Sequence, residues 1–504
     1  MKNKNSILEN YILSIDQGTS GTKAIIFNTH GEVVTKATEP LKSHYPETGF
    51  VEQDPEEIYR NVLAAVEKCY SEFRQQFPED NHKILSCGIS NQRETFVVWD
   101  GEGKPLHQAV VWQCKRSNEI CTQLQERQLE DTISSKTGLI IDPYFSATKV
   151  VWLYQNHKNF RNAVDNKDAF FGTIDTWLLF RLTKGKKYYT DHTNASRTLF
   201  YNIYDLKWDA ELLEAFELKN LQLPEVKSSA SHYGASDFGG VFNTPLPITG
   251  MIGDSHAAFF GEECYKENMA KATLGTGSSI LWNAGEKPIS NNDKIMTTIG
   301  WSTSKEVSYA YEGIIVSAGS TLEWLKNQMN TFSADSKIEI MAQGLSSNEG
   351  VYIIPAFSGM GAPYWEKNWK ASIHGLTFGT TKEHLVRAGL ESIAYQIKDV
   401  INAIEKEKGV SLKELKVDGG MTGNRFLLQY LSNVLGKNVV NIGISDVSAY
   451  GAALISGLGA GLWKEIDSLP RMKPENRKVF QPKSKKNVDK SYKVWKQLLE
   501  HKYY

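Results

Sequence analysis

Short apolar runs, each stopped by a cluster of glycine and hydroxyl residues, set the rhythm of this chain. Tyr11–Ile15 is apolar enough for a strand and ends at Asp16-Gln17-Gly18-Thr19-Ser20-Gly21-Thr22-Lys23. Ala24–Phe27 resumes the run, Thr29-His30-Gly31 turns it, and Val33-Val34 begins a third strand. Short apolar runs bounded by turn residues are the mark of buried strands. The layout recurs far along the chain, where Ala272–Trp282 is an apolar strand, Gly275-Thr276-Gly277-Ser278-Ser279 and a second apolar strand. Two copies of one device in opposite halves predict a duplicated architecture with a cleft between the halves.

Between the copies, strands alternate with helices, which predicts an α/β protein. Pro55–Phe73 has helical spacing, and Lys83–Ser90 is a strand ending at Asn91-Gln92-Arg93-Glu94-Thr95. Phe96–Trp99 and Val110–Trp112 read as strands, Thr148–Asn156 as helix, and Phe170–Leu182 as strand passing into helix. Farther on, Gly319–Met329, Lys382–Glu407, Arg425–Leu435 and the Ala/Gly-rich Ser448–Leu458 read as helices. A strand at Leu415–Val417 runs into Asp418-Gly419-Gly420-Met421-Thr422-Gly423-Asn424. The Lys-rich stretch Lys473–Lys496 is expected to be a solvated helix face and loop.

The densest chemistry lies in Ile248–Asn283. Its apolar run Ile248–Ile252 stops at Gly253-Asp254, a helical run follows at Ala257–Glu263, and the second glycine turn comes next. An acid between a strand's C-terminal end and a helix N-terminus, beside N–H groups freed by glycine, suits phosphoryl transfer to an alcohol. Asp254 is thus the candidate base, a helix N-cap being its plainer role. The first turn, Asp16-Gln17-Gly18-Thr19, suits ATP phosphates, with Asp16 holding magnesium-bound water, or it is a plain hairpin. Its second copy favours the phosphate reading. No GxxxxGK[ST] occurs and no GxGxxG leads a strand into a helix, which excludes a P-loop enzyme and speaks against a dinucleotide fold.

Three further clusters carry a functional and a plain reading each. Asp418-Gly419-Gly420…Asn424 suits an adenosine or a tight strand–helix turn. Arg93 and Glu94 offer donors and acceptors matched to a vicinal diol, or form an ion pair. Trp112 and Tyr144 supply the walls of a small-polyol pocket, or belong to the core. His256 reads as packed or capping rather than metal-bound.

Composition removes other classes. At 504 residues, 41% hydrophobic and 23% charged, two globular domains are expected. A net charge of −1 gives no field for gathering nucleic acid or anionic membrane. Cys69, Cys87, Cys114, Cys121 and Cys264 form no CxxC pair, which predicts a reduced, cytoplasmic protein. The first residues lack a signal-peptide pattern, and no apolar run approaches the roughly 20 residues of a membrane helix.

The stretches IDQGTSGTKAIIF, ISNQRET, VVWQCKR, GLIIDPYFSATKV, FGTIDTWL, TDHTNASRT, PAFSGMGAPYW, ESIAYQ and VDGGMTGN together resemble the FGGY carbohydrate kinases, from Tyr11 to about Leu469. Tyr144–Trp152 fits the family's first signature and Ala371–Glu391 its second, with Gly389 out of pattern. The resemblance implies two duplicated actin-like, ribonuclease H-like α/β domains with an interdomain cleft. They are divided here as residues 1–254, for polyol and phosphate, and 255–504, for nucleotide. It implies that Thr19, Ser20, Gly21 and Lys23 form the first phosphate loop, with Lys23 where relatives usually have Arg. Thr276, Gly319, Gly420 and Asn424 fall at nucleotide positions, Asp254 at the base, and Arg93, Glu94, Trp112 and Tyr144 in the polyol pocket. The implied reaction uses ATP and Mg²⁺ to phosphorylate the terminal hydroxyl of a small polyol, glycerol to glycerol 3-phosphate first, in a homodimer or homotetramer.

Two departures bear on substrate. Members acting on glycerol carry GDQQAA where this chain has Gly253-Asp254-Ser255-His256-Ala257-Ala258, so Ser255 replaces a Gln that holds a terminal hydroxyl. Ser279 replaces an aromatic that walls glycerol. Both changes remove bulk, so a longer polyol or ketopentose, of erythritol, xylitol or xylulose type, is the alternative acceptor. Some members carry an activating His after a Tyr-Gly; Ala235 follows Tyr233-Gly234 here, so that activation is not expected, and His232 is not its counterpart. A non-catalytic sensor on the same fold is the rival, against which the presence of Asp16, Asp254 and both glycine turns speaks.

Overall fold

The computed structural model describes residues 10–287, 294–471, 474–483 and 486–500. Residues 1–9, read above for a leader, and Lys473, Ser484 and Lys485 of the lysine-rich stretch lie outside these.

Two mixed sheets carry the chain. The first has the strand order Ala230–Ser236, Leu246–Gly253, Ile84–Asn91, Tyr11–Gly18, Gly21–Asn28, Val33–Pro40. Tyr11–Gly18 is antiparallel to Gly21–Asn28 and parallel to Ile84–Asn91, and Leu246–Gly253 is also parallel to Ile84–Asn91. The second sheet is ordered Met296–Ser302, Val307–Ile315, Ser278–Gly285, Ala270–Leu274, Glu414–Asp418, Asn438–Asn441, Lys478–Phe480. Ala270–Leu274 is antiparallel to Ser278–Gly285 and parallel to Glu414–Asp418. The same hairpin-then-parallel device is thus built twice, with each glycine turn at its hairpin. Helices cover both faces of these strands, which explains apolar runs without alternation.

Local chemistry sets the helix ends. Pro55–Gln76 starts where the Asp54 side chain accepts from Glu56 N, with Pro55 in its first turn, and buries Ile58, Val62, Val66 and Phe73 against the first sheet. Lys382–Lys408 begins in a Thr381/His384 capping box and stops at Gly409, whose φ of 66° admits the left-handed end. Trp112, expected at a strand end, lies in a turn after the short strand Ala109–Val110. The lysine-rich stretch departs further from expectation, because the helix Lys486–Glu500 is docked rather than solvated. Trp495 and Leu499 are buried and Trp495 Nε1 donates to Asp399 Oδ2 at 3.1 Å. An apolar stripe at helical spacing outweighs the lysine count.

The helix Val447–Gly459 leaves the second half and packs on Leu246–Gly253, Ile84–Asn91 and Tyr11–Gly18 of the first sheet. Ser14 Oγ donates to the Ala449 carbonyl at 2.7 Å, and Thr249 Oγ1 to that of Ser456 at 2.8 Å. The same helix meets Asp254–Gly261 backbone to backbone: a methyl placed on Gly451 would stand 1.8 Å from the Ala257 carbonyl oxygen. Gly451→Ala is therefore expected to destabilise the protein by about 1–3 kcal/mol, read from a urea midpoint. An unchanged midpoint would show that the two helices can separate freely.

Candidate active site

The parallel strands Tyr11–Gly18, Ile84–Asn91 and Leu246–Gly253 end at one edge, and their ends bring Asp16, Ser90 and Asp254 together there. Asp254 opens the helix Asp254–Gly261; its Oδ1 accepts from Ser255 N at 2.6 Å and lies 3.3 Å from Arg93 Nε. Gly253 is needed just before it, because a Cβ there would sit 2.7 Å from Arg93 Cγ. The Asp254 side chain is 39% exposed, so it faces the opening rather than the core. Its pKa is raised, first by loss of hydration, against the pull of Arg93, and further by Asp16. Asp16 accepts from Ser90 Oγ at 2.9 Å and is likewise raised by burial, opposed by Lys23.

Behind Asp254 lies a buried ion cluster that joins the two halves. Arg93 Nη1 reaches Glu312 Oε1 at 2.9 Å, and Arg197 pairs with Glu312 Oε2 and, at 2.6 Å, with Glu94 Oε1. Glu312 comes from the strand Val307–Ile315 of the second sheet. Burial pushes its pKa up, but the two arginines outweigh that and hold it at about 2. Glu94 sits in the left-handed region at φ 61°, a conformation that tertiary contacts must enforce. Arg197 and Glu312 were not picked out from sequence. The available signal was a lone carboxylate inside the apolar strand, which has to find a cation when buried.

The remaining predicted pocket residues meet here. The Trp112 and Tyr144 rings are edge to face at 5.4 Å, and Trp112 Nε1 donates to Thr19 Oγ1 at 3.0 Å. Fully buried Lys149 donates to the carbonyls of Pro143, Tyr144 and Phe145 and so fixes the loop bearing Tyr144. Thr19 is further tied to Gln53, whose Nε2 donates to its carbonyl at 2.7 Å. Ser20 and Gly21 complete that hairpin, where Gly18 pairs with Gly21. Lys23 is directed elsewhere, to Asp446 at 2.9 Å.

Thr276, Gly319, Gly420 and Asn424 line one pocket of about 750 Å³, together with Gly275, Leu322, Phe332 and Met421. Gly319 N donates to the Gly275 carbonyl at 3.0 Å, and a Cβ on Gly319 would stand 2.7 Å from that oxygen. Gly419, at φ 95°, has no room for a side chain beside Leu274. Asn424 Oδ1 accepts from Leu427 N and caps Arg425–Leu435 at the pocket lining. Large volume, apolar walls and glycine backbone suit a nucleoside.

Among the described residues no group of three or more His, Cys, Asp or Glu side chains forms a metal cage. Asp16 and Asp254, two carboxylates at neighbouring strand ends, the first raising the proton affinity of the second, fit the sparse donor set of Mg²⁺, which keeps its waters and shares substrate phosphates. All five cysteines are buried and unpaired, and no helix among the described residues is long and apolar enough to cross a membrane.

This geometry has relatives. Residues 11–261 match the N-terminal domain and residues 270–460 the C-terminal domain of the FGGY family of carbohydrate kinases, and the chain belongs to that family. A glycerol kinase of Bacillus anthracis is 43% identical over 494 residues, 98% of this chain and 99% of that protein. The crystal structure of Plasmodium falciparum glycerol kinase with ADP superposes with a TM-score of 0.88 at 35% identity, covering 97% of this chain and 98% of that one. A xylulose kinase from Lactobacillus acidophilus shares the fold, with a TM-score of 0.83 at 20% identity over 97% and 96% of the two chains.

Proposed function

We propose that this protein transfers the γ-phosphoryl group of ATP to the terminal hydroxyl of a small polyol, with glycerol to glycerol 3-phosphate as the reaction its relatives' names support. The observation that carries the reading is Asp254, part-exposed at the strand ends and held 3.3 Å from Arg93, in a chain that also has a glycine-lined pocket suited to a nucleoside. The division of labour follows the two halves, with residues 1–254 supplying the polyol and first phosphate loop and 255–504 the nucleotide pocket.

Each group has a chemical task. Glu94 keeps one carboxylate oxygen on Arg197, leaving the other to accept from a polyol hydroxyl. Arg93 donates to a neighbouring hydroxyl, while Trp112 and Tyr144 pack on the carbon chain. Asp254 accepts the proton of the attacking hydroxyl, which for a loose transition state requires position more than basicity. Thr19, Ser20 and Gly21 face the transferred phosphate, while Lys23 is spent on Asp446 and ties the hairpin to the second half. Thr276, Gly319, Gly420 and Asn424 hold the rest of the nucleotide. Mg²⁺, when bound with help from Asp16, neutralises phosphate charge.

Mixing protein, Mg-ATP and glycerol should release ADP at a rate dependent on the polyol. The rate should fall as pH drops through the Asp254 pKa, and that limb should lie above the ordinary 3.8 because the pKa is raised. Polyol-independent ADP, or none with any polyol, would favour the sensor. Rate limitation set by an unperturbed carboxylate would remove Asp254 from the base role.

A further inference from the structure

Ser255 and Ser279 are both partly exposed, Ser255 next to the candidate base Asp254 and Ser279 against Glu312 of the ion cluster. They belong to a directed chain of hydrogen bonds. Lys271, fully buried, donates to Ser255 Oγ at 2.9 Å. Ser255 and Ser279 hydroxyls are 3.1 Å apart, and Ser279 donates to Glu312 Oε1 at 3.1 Å. Glu312, gripped by Arg93 and Arg197, is an ionised carboxylate and can only accept. The Ser279 proton is therefore spent on Glu312, and the proton between the serines must be that of Ser255.

The bookkeeping of lone pairs then follows from the hydroxyl inventory. Each serine oxygen donates once and accepts once, leaving one further lone pair and no free proton. Both serines thus present acceptors to the pocket, backed by a carboxylate. Arg93, which touches Asp254 and Glu312 alike, links this pair to the candidate base. A group docking there must donate. An alcohol does so; a carbonyl oxygen, carboxylate or phosphate does not.

Resting on the kinase reading above, we propose that Ser255 and Ser279 form a hydroxyl-accepting subsite beyond the third carbon, so that the preferred substrate is an acyclic polyol of four or five carbons rather than glycerol. An extra hydroxyl satisfied in a site built to accept it contributes roughly a tenfold gain.

The test is ADP release by the full chain with Mg-ATP across glycerol, erythritol, threitol, xylitol, xylulose and gluconate. A tetritol or pentitol is expected to exceed glycerol in kcat/KM by about tenfold. In Ser279→Ala, which keeps the space and removes one acceptor, the ratio of that polyol to glycerol should fall about tenfold, and in Ser279→Phe further still. Glycerol, xylulose or gluconate leading the panel overturns the proposal while leaving the kinase intact, as does a ratio unchanged in both variants. No ADP with any acceptor overturns the kinase reading and this inference with it.

Discussion

Asp254→Asn is expected to leave the fold intact and to lower kcat by at least about 100-fold. The fold should survive because Asn matches Asp254 in shape, the side chain is part-exposed at the opening, and Arg93 keeps its pair with Glu312. The amide keeps an oxygen for Ser255 N, now 2.6 Å away. What it cannot do is take a proton from the attacking hydroxyl. Circular dichroism and a melting curve should match the parent while steady-state ADP release collapses. Turnover within a few-fold of the parent would remove Asp254 from the chemistry, and a lost melting transition would assign it to stability instead.

The second large effect is expected at Arg197. Arg197→Met keeps the buried volume but takes from buried Glu94 the cation it pairs with and leaves Glu312 on Arg93 alone. Removing one partner of a buried ion cluster costs about 3–5 kcal/mol, because the orphaned charge stays desolvated. Urea titration at pH 7 reads this. The sign with pH is fixed by Glu312, whose pKa is about 2 folded and 4.5 unpaired. Its contribution is complete above 4.5 and fades as pH falls towards 2, so the gap between parent and variant should narrow in acid. Adding Glu312→Gln to the variant should recover part of the loss, since it removes the stranded charge. A single variant within about 1 kcal/mol of the parent would show that the cluster is not a structural tie.

Much of the frame could be read from the residues. Both hairpins were visible as apolar runs broken by glycine, because a strand buried on two faces has no alternation to disguise it. Asp16 and Asp254 stood out as acids at strand ends. The helices Arg425–Leu435 and Val447–Gly459 fell within a residue of expectation at each end, since Asn424 and the Ala/Gly pattern mark them locally. Glu312, Arg197, Lys271 and Lys149 were not legible for a common reason. Each matters through a partner well beyond one helical turn, or through a carbonyl, and neither leaves a periodic trace. Trp495 was missed because its lysine neighbours dominate the local composition, while its partner Asp399 lies in another helix.

The return of Val447–Gly459 to the first sheet also governs how the chain is made. Ser14 meets Ala449 across 435 residues, and Ile12, Ile25 and Ile252 share one apolar cluster with Ala449, Ala452 and Leu454. A ribosome that has finished the first sheet has yet to synthesise its cover. Until residue 459 emerges, the nascent first half displays that oily face, which makes it a client for holding chaperones and a poor subject for expression as a fragment.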